Sequence, residues 1–280
     1  MKRVAMLLGL AVTGCSYDLV LLAEEGTVVP DAGTLEGEPV DGGGVQFGAL
    51  LAYEAFDELG GLEGLDGGQG WSEPWKLQSV AEEGFVVVET NPLASTAFPG
   101  SARYLSGGDR YATASRRLDV EGLFTAWIDP ADGRLGVAGT ELWVSALLRR
   151  DENAFEQMGM RLTRGGYGGS AQVYRFGYDH RDGFWSVTLG AGETMPTSRP
   201  AVAGERLLWV AHLVFDAPQA TVETFVMGEA QSTLERVHSG QVPRSEMTFD
   251  HVALSHGAFA GEGSTDEVRV GTTLEAVLLR

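Results

Sequence analysis

The chain has 280 residues, with 39 acidic side chains against 20 basic ones and a formal charge of −19. A body this acidic repels nucleic acid and anionic lipid surfaces, so neither is an expected partner on electrostatic grounds. Dense polyanionic polysaccharides are disfavoured for the same reason unless cations bridge them. The single cysteine, Cys15, leaves nothing for an internal disulfide framework, so the fold must rest on burial.

The first element is a leader. Lys2 and Arg3 precede residues 4–12, nine positions without charge. That run is too short to span a bilayer as a helix and has the length of a signal-peptide apolar region. It ends on Val12-Thr13-Gly14-Cys15. Small residues before a cysteine let a peptidase take an extended backbone. The pattern resembles the bacterial lipoprotein lipobox, which implies removal of residues 1–14 and acylation of Cys15 as the new N-terminus. An ordinary secretory signal that happens to end near a cysteine is the alternative. The resemblance further implies that Ser16, where aspartate would retain a Gram-negative lipoprotein at the inner membrane, sends this one to the outer membrane. Membrane contact is then expected through the lipid alone.

Residues 15–45 read as a tether. Leu19, Val20, Leu21 and Leu22 lie near the headgroups or form a short helix. Residues 23–44, AEEGTVVPDAGTLEGEPVDGGG, have no sustained apolar period and cannot offset their ordering entropy by burial. Residues 46–280 are long enough for one well-sized core.

Within that body, glycine-rich turns alternate with short runs of period two. Residues 141–149, ELWVSALLR, place Leu142, Val144, Ala146 and Leu148 on one face of a strand. Residues 206–215, RLLWVAHLVF, are apolar on both faces and predict a central strand covered on two sides. Further strands are predicted over 85–89, 110–118, 155–163, 171–178, 184–189, 221–227, 249–255 and 267–271. The tail, 273–279, is long enough for about one helical turn. Many short strands without long helices predict an all-β fold, a two-sheet antiparallel jelly-roll sandwich.

Several stretches follow one order along the body. Tyr53-Glu54-Ala55-Phe56-Asp57 precedes the glycine-rich run GGLEGLDGGQGWSEPW, TELWVSALLRR stands mid-domain, and TDEVRVGTT stands near the end. This arrangement is similar to bacterial secreted domains of the laminin-G-like, concanavalin A-like lectin/glucanase superfamily. The resemblance implies a jelly-roll sandwich whose last strand pairs back to its first. It does not imply one activity, because such folds host many. Its glucanases carry E-x-D-x-x-E or E-x-D-x-E strands that aim their carboxylates into one cleft. Here no glutamate is followed two positions later by aspartate.

Other chemistry has weaker marks. The five histidines (180, 212, 238, 251 and 256) show no zinc-type spacing on a helix. His212, inside an apolar strand, is expected to be a hydrogen-bonded core residue. No G-x-S-x-G elbow exists. Glu54 and Asp57 near the first strand and Asp266 at the last offer hard oxygens for a structural calcium, where first and last strands meet. The same carboxylates are otherwise turn caps facing solvent. Trp71 and Trp75 beside the glycine-rich loop, and Tyr167 and Tyr178 near Gly168-Gly169, are candidate platforms for sugar rings. The commoner use of such tryptophans is to plug the end of a sandwich. In the closing strand, period two puts Asp266, Val268 and Val270 on the core side. It puts Glu267 and Arg269 outside, as a surface pair worth about 0–1 kcal/mol.

Three functions stay open at this level. The first is a non-catalytic surface lipoprotein binding neutral polysaccharide or a surface protein. The second is an interaction module without a small ligand. The third is a glycosidase or lyase.

Overall fold

The computed structural model describes residues 50–58, 60–77, 85–88, 93, 95, 97–98, 100–101, 103–107, 112–151, 158–166, 172–178, 183–256 and 263–278. The leader with Cys15, the tether and Tyr167 lie outside the described residues.

The strands, in chain order, are β1 (Leu50–Glu54), β2 (Gly60–Gly61), β3 (Lys76–Leu77), β4 (Phe85–Val88), β5 (Tyr104–Gly107), β6 (Ala112–Arg117), β7 (Ile128–Asp129), β8 (Arg134–Leu135) and β9 (Thr140–Arg150). They continue as β10 (Met158–Thr163), β11 (Gln172–Tyr178), β12 (Phe184–Leu189), β13 (Met195–Pro200), β14 (Arg206–Phe215), β15 (Gln219–Gly228), β16 (Glu235–Pro243), β17 (His251–His256) and β18 (Gly263–Gly271). Two single-turn α-helices, α1 (Arg244–Met247) and α2 (Leu274–Val277), and a 3-10 turn at Thr125–Trp127 complete the set among the described residues. No helix among the described residues is long and apolar enough to cross a membrane.

A nine-stranded sheet runs β16-β15-β14-β9-β18-β5-β4-β2, with β1 also paired to β18, and a seven-stranded sheet runs β13-β12-β11-β10-β17-β6-β3. Strand pairing is antiparallel throughout both. Inward faces of the two sheets build the main core. Leu142, Val144, Ala146 and Leu148 of β9 meet Met160, Phe176 and Val252 of the other sheet. At its centre Trp209 stacks on Tyr174 and Phe176, with ring centroids 5.8 and 5.6 Å apart. The Trp209 indole donates to the Tyr174 hydroxyl at 3.1 Å, and that hydroxyl meets Thr224 Oγ1 at 2.9 Å, so the buried polar atoms are satisfied across the sheets.

β14 is covered on both sides, as its composition predicts. Leu208 and Val210 face outward into a second cluster with Leu147, Phe225, Leu93, Phe98 and Val277. The α2 turn closes this face. Thr273 Oγ1 accepts from the Ala276 amide, and Ser145 Oγ donates to Val277 O at 2.7 Å. Part of the outer side of the nine-stranded sheet is therefore apolar and capped, while His212, Glu141, Glu223 and Arg236 make another part polar. His212 departs from expectation. Register sets it opposite Trp143, on the outer face, where it is half-buried rather than in the core. Its ring stacks on Trp143 at 3.8 Å and bonds Glu141 at 2.9 Å.

Candidate functional site

The residues singled out near the chain's first strand gather around one arginine. β6 points Arg116 inward, opposite Val252, and leaves it 1% exposed. Its guanidinium bonds Glu54 Oε2 at 2.5 Å, Asp66 Oδ1 at 2.9 Å and Gly67 O at 2.7 Å, while its Nε donates to Glu73 O at 2.8 Å. Glu54 also accepts from the Trp75 indole at 3.0 Å and from the Phe56 amide at 2.9 Å. Phe56 adopts φ 52°, a left-handed conformation rare for a bulky residue. Burial pushes the Glu54 carboxyl up from its ordinary value, and its three donors pull the other way.

Trp71 lies against this cluster, its ring 5.2 Å from the Arg116 guanidinium carbon and its indole N–H donating to Tyr53 O at 3.0 Å. Trp75 is fully buried. Trp71 is half-buried against it, the two ring centroids 6.1 Å apart. Tyr178 faces the core and carries Arg150 over its ring at 4.2 Å.

Glu54, Asp57 and Asp266 form no metal-ligating group. Glu54 is committed to Arg116, Asp57 is exposed, and Asp266 has partners of its own. No group of three or more His, Cys, Asp or Glu side chains that would hold a metal ion occurs among the described residues.

The face expected for Asp266 is reversed. Asp266 pairs with Leu147 and Arg269 with Ser145, so the strand gains one residue between them. Glu267 sits in that bulge at φ 53°. Val268 and Val270 do enter the core, but Asp266 joins the opposite side. There Ser101 Oγ lies 3.1 and 3.2 Å from its oxygens and the Glu267 amide donates at 2.8 Å. The Glu267–Arg269 pair, at 2.7 Å, is more buried than a surface pair. Arg269 donates to Leu278 O and packs over Tyr53, whose hydroxyl bonds Glu267 at 3.1 Å. Burial first, and then the Glu267 charge, push the Tyr53 hydroxyl above its ordinary range.

A second candidate is the outer face of the seven-stranded sheet. Its inward positions are mostly apolar, Arg116 aside, and its outward positions are mostly small or polar, Phe184 aside. One row across the strands reads Ser186, Gly177, Gly159, Ser255, Thr113. The next reads Thr188, Arg175, Arg161, Ala253, Ser115, Lys76. Gly159 and Gly177 allow the β10 and β11 backbones to approach closely, since a Cβ on either would sit 2.2 or 2.1 Å from a carbonyl oxygen across the pair. The glycine pair stands beside two facing arginines, and every residue of both rows except Lys76 is buried. Arg161 is 6% and Arg175 4% exposed. Thr113 and Thr163 are fully buried on this face, and neither Oγ1 has a hydrogen-bond partner. Such orphaned hydroxyls call for a partner.

A third row, Thr163, His251 and Arg117, borders this face. Asp250 Oδ1 accepts from His251 Nδ1 and the Gly165 amide, both at 2.7 Å. Burial alone would raise the Asp250 carboxyl, yet these donors, with the His251 and Arg134 charges, hold it below its ordinary value.

None of Gly159, Arg161, Arg175 and Gly177 is singled out by the sequence. The available signal is a mirrored pair, M-G-M-R-L on β10 and Y-R-F-G-Y on β11. It has meaning only once antiparallel register sets arginine opposite arginine.

No protein-family model matches the chain, and no curated protein does either. Solved structures do. The globular domain of T. cruzi calreticulin superposes with a TM-score of 0.52 at 12% identity, covering 82% of this chain and 90% of that one. A GH131 β-glucanase catalytic domain from Podospora anserina gives 0.44 at 9% identity over 70% of this chain and 82% of that one. The exoplasmic/lumenal domain of VIP36 in a Ca2+/Man-bound form gives 0.43 at 9% identity, over 72% and 85%. The fold is thus a concanavalin A-like, two-sheet antiparallel jelly roll.

Proposed function

We propose that the protein is a cell-envelope lipoprotein, held by lipid on Cys15, whose sandwich binds glycan without catalysis on the outer face of the seven-stranded sheet. The observation that supports this reading is the buried polar strip, in which the Thr113 and Thr163 hydroxyls lack hydrogen-bond partners. Polar groups held away from water favour a ligand that returns their hydrogen bonds, and a sugar presents many hydroxyls. The positions named in the glycine and arginine rows carry no carboxylate, and paired carboxylates are what glycoside hydrolysis requires.

The full chain, purified in detergent, is expected to retain oligosaccharides in a glycan-array measurement. Thr113→Val, which removes one of the unpartnered hydroxyls at nearly constant shape, is expected to weaken binding severalfold while leaving the melting temperature at or above that of the parent. Binding unaffected by Thr113→Val would remove the strip from the site. Retention of a protein partner and no glycan would favour an interaction module. The anchor is tested separately. The protein is expected in the membrane fraction with labelled palmitate incorporated, and Cys15→Ser is expected to move it to the soluble fraction without label. A labelled or membrane-bound Cys15→Ser protein would contradict lipidation at this position.

A further inference from the structure

We propose that the end of the nine-stranded sheet holds a site for a small protonated amine. It lies in a cavity of about 220 Å3 lined by Ala126, Trp127, Gly139, Thr140, Glu141 and Thr272. Three segments meet there: the 3-10 turn at Thr125–Trp127, the entry to β9, and the residues just past β18. Sites for drug-sized ligands span roughly 300–1,000 Å3, so this one takes a single unit the size of an amino sugar or a short alkylamine. It is separate from the seven-stranded face, so glycan binding on that face can hold or fail without it.

The rim and the floor of the cavity differ. Ala126, Gly139 and Glu141 are exposed, whereas Trp127 and Thr272 are 7% and 6% exposed. Most polar groups of the lining are already committed. The Trp127 indole donates to Glu141 O at 3.1 Å, and Thr140 Oγ1 donates to Val137 O at 2.7 Å. Thr272 Oγ1 is buried and has no hydrogen-bond partner. A buried hydroxyl left unmet costs free energy that a ligand can recover. Gly139, at φ +84°, has nothing within 4 Å of where a Cβ would stand, so the cavity is open on that side.

Charge selects the ligand. Among the described residues that line the cavity, Glu141 alone is charged. Its Oε2 accepts from His212 Nε2 at 2.9 Å, and that imidazole is stacked on Trp143. The bond orients the carboxylate, and Oε1 has no hydrogen-bond partner among the described residues. An ammonium brings several N–H donors, enough for a carboxylate oxygen and the Thr272 hydroxyl together. The indole wall also attracts cations. The chain's charge of −19 draws in the same sign and repels anions. A neutral polyol could meet Thr272 but gains nothing from that field.

The test uses the full chain in detergent and calorimetry with glucosamine, N-acetylglucosamine and n-butylammonium. Glucosamine is expected to bind about tenfold more tightly than N-acetylglucosamine, which lacks the charge. Butylammonium binding as tightly as glucosamine would support an aliphatic amine as the occupant, and weaker binding an amino sugar. Glu141→Gln is expected to erase the preference for the amine with little change in melting temperature. Thr272→Val is expected to weaken amine binding severalfold with a melting temperature at or above that of the parent. Thr113→Val is expected to leave amine binding unchanged, which separates this site from the seven-stranded face. Equal binding of glucosamine and N-acetylglucosamine, or no binding of either amine, would overturn the proposal. So would an amine preference that survives Glu141→Gln or is lost in Thr113→Val.

Discussion

Arg116→Met is expected to lower folding stability by about 3–5 kcal/mol, because it strands the Glu54 carboxylate in the core without its counter-charge. The cluster has no slack. Arg116 is 1% exposed and closes contacts to Glu54, Asp66, Gly67 and Glu73 from four points along the chain. It joins the opening strand, the glycine-rich run and β6. Glu54→Gln in the same chain removes the stranded charge, and the double variant is expected to recover most of the loss, since a neutral buried pair escapes the desolvation penalty. Urea unfolding of the four proteins measures both effects. A single variant within about 1 kcal/mol of the parent would mean that this ion pair does not hold the end of the sandwich together.

The second large effect belongs to Gly70. It adopts φ +78°, and a Cβ there would sit 2.0 Å from Leu51 O and 2.8 Å from Ala52 Cβ. Both neighbours belong to β1, which is fixed by pairing with β18, so the backbone cannot yield. Gly70→Ala is expected to cost more than about 3 kcal/mol, from a left-handed penalty of about 1–2 kcal/mol plus the clash. Gly183 supplies the control. Its φ of +70° is similar, and nothing lies within 4 Å of an added Cβ. Gly183→Ala is expected to lose only the conformational part, about 1–2 kcal/mol. Thermal melts of both variants decide the matter. Equal losses would show that the glycine-rich run does not press on β1.

Strands with strong apolar faces were legible from the sequence. Residues 206–215 form β14 over the same span, and the mid-domain strand differs from prediction by one residue at each end. Edge strands were not. β16 is mostly polar, with only Val237 and Val242 packed on the core, and β13 holds two prolines, which an edge strand tolerates because one side of its backbone has no partner. His212 read as a core residue because its neighbours are apolar, but a strand covered on both sides has two apolar faces, and the histidine took the outer one. The bulge at Glu267 defeated the period-two reading of Asp266, since one added residue exchanges the faces before it. Trp71 and Trp75 stand beside the glycine-rich loop in the sequence, and their partners Arg116 and Glu54 come from strands that the sequence does not link to it. The polar strip was invisible for a different reason. Gly159, Arg161, Arg175 and Gly177 acquire meaning from strand neighbours, and which strands become neighbours is a property of the whole topology.

The most direct test of glycan recognition on the seven-stranded sheet is a crystal structure of the full chain with an oligosaccharide retained in the array measurement. The account predicts sugar hydroxyls meeting Thr113 or Thr163 on the outer face of that sheet. A sugar bound instead at the Trp71 loop or on the nine-stranded sheet, with the polar strip untouched, would contradict it.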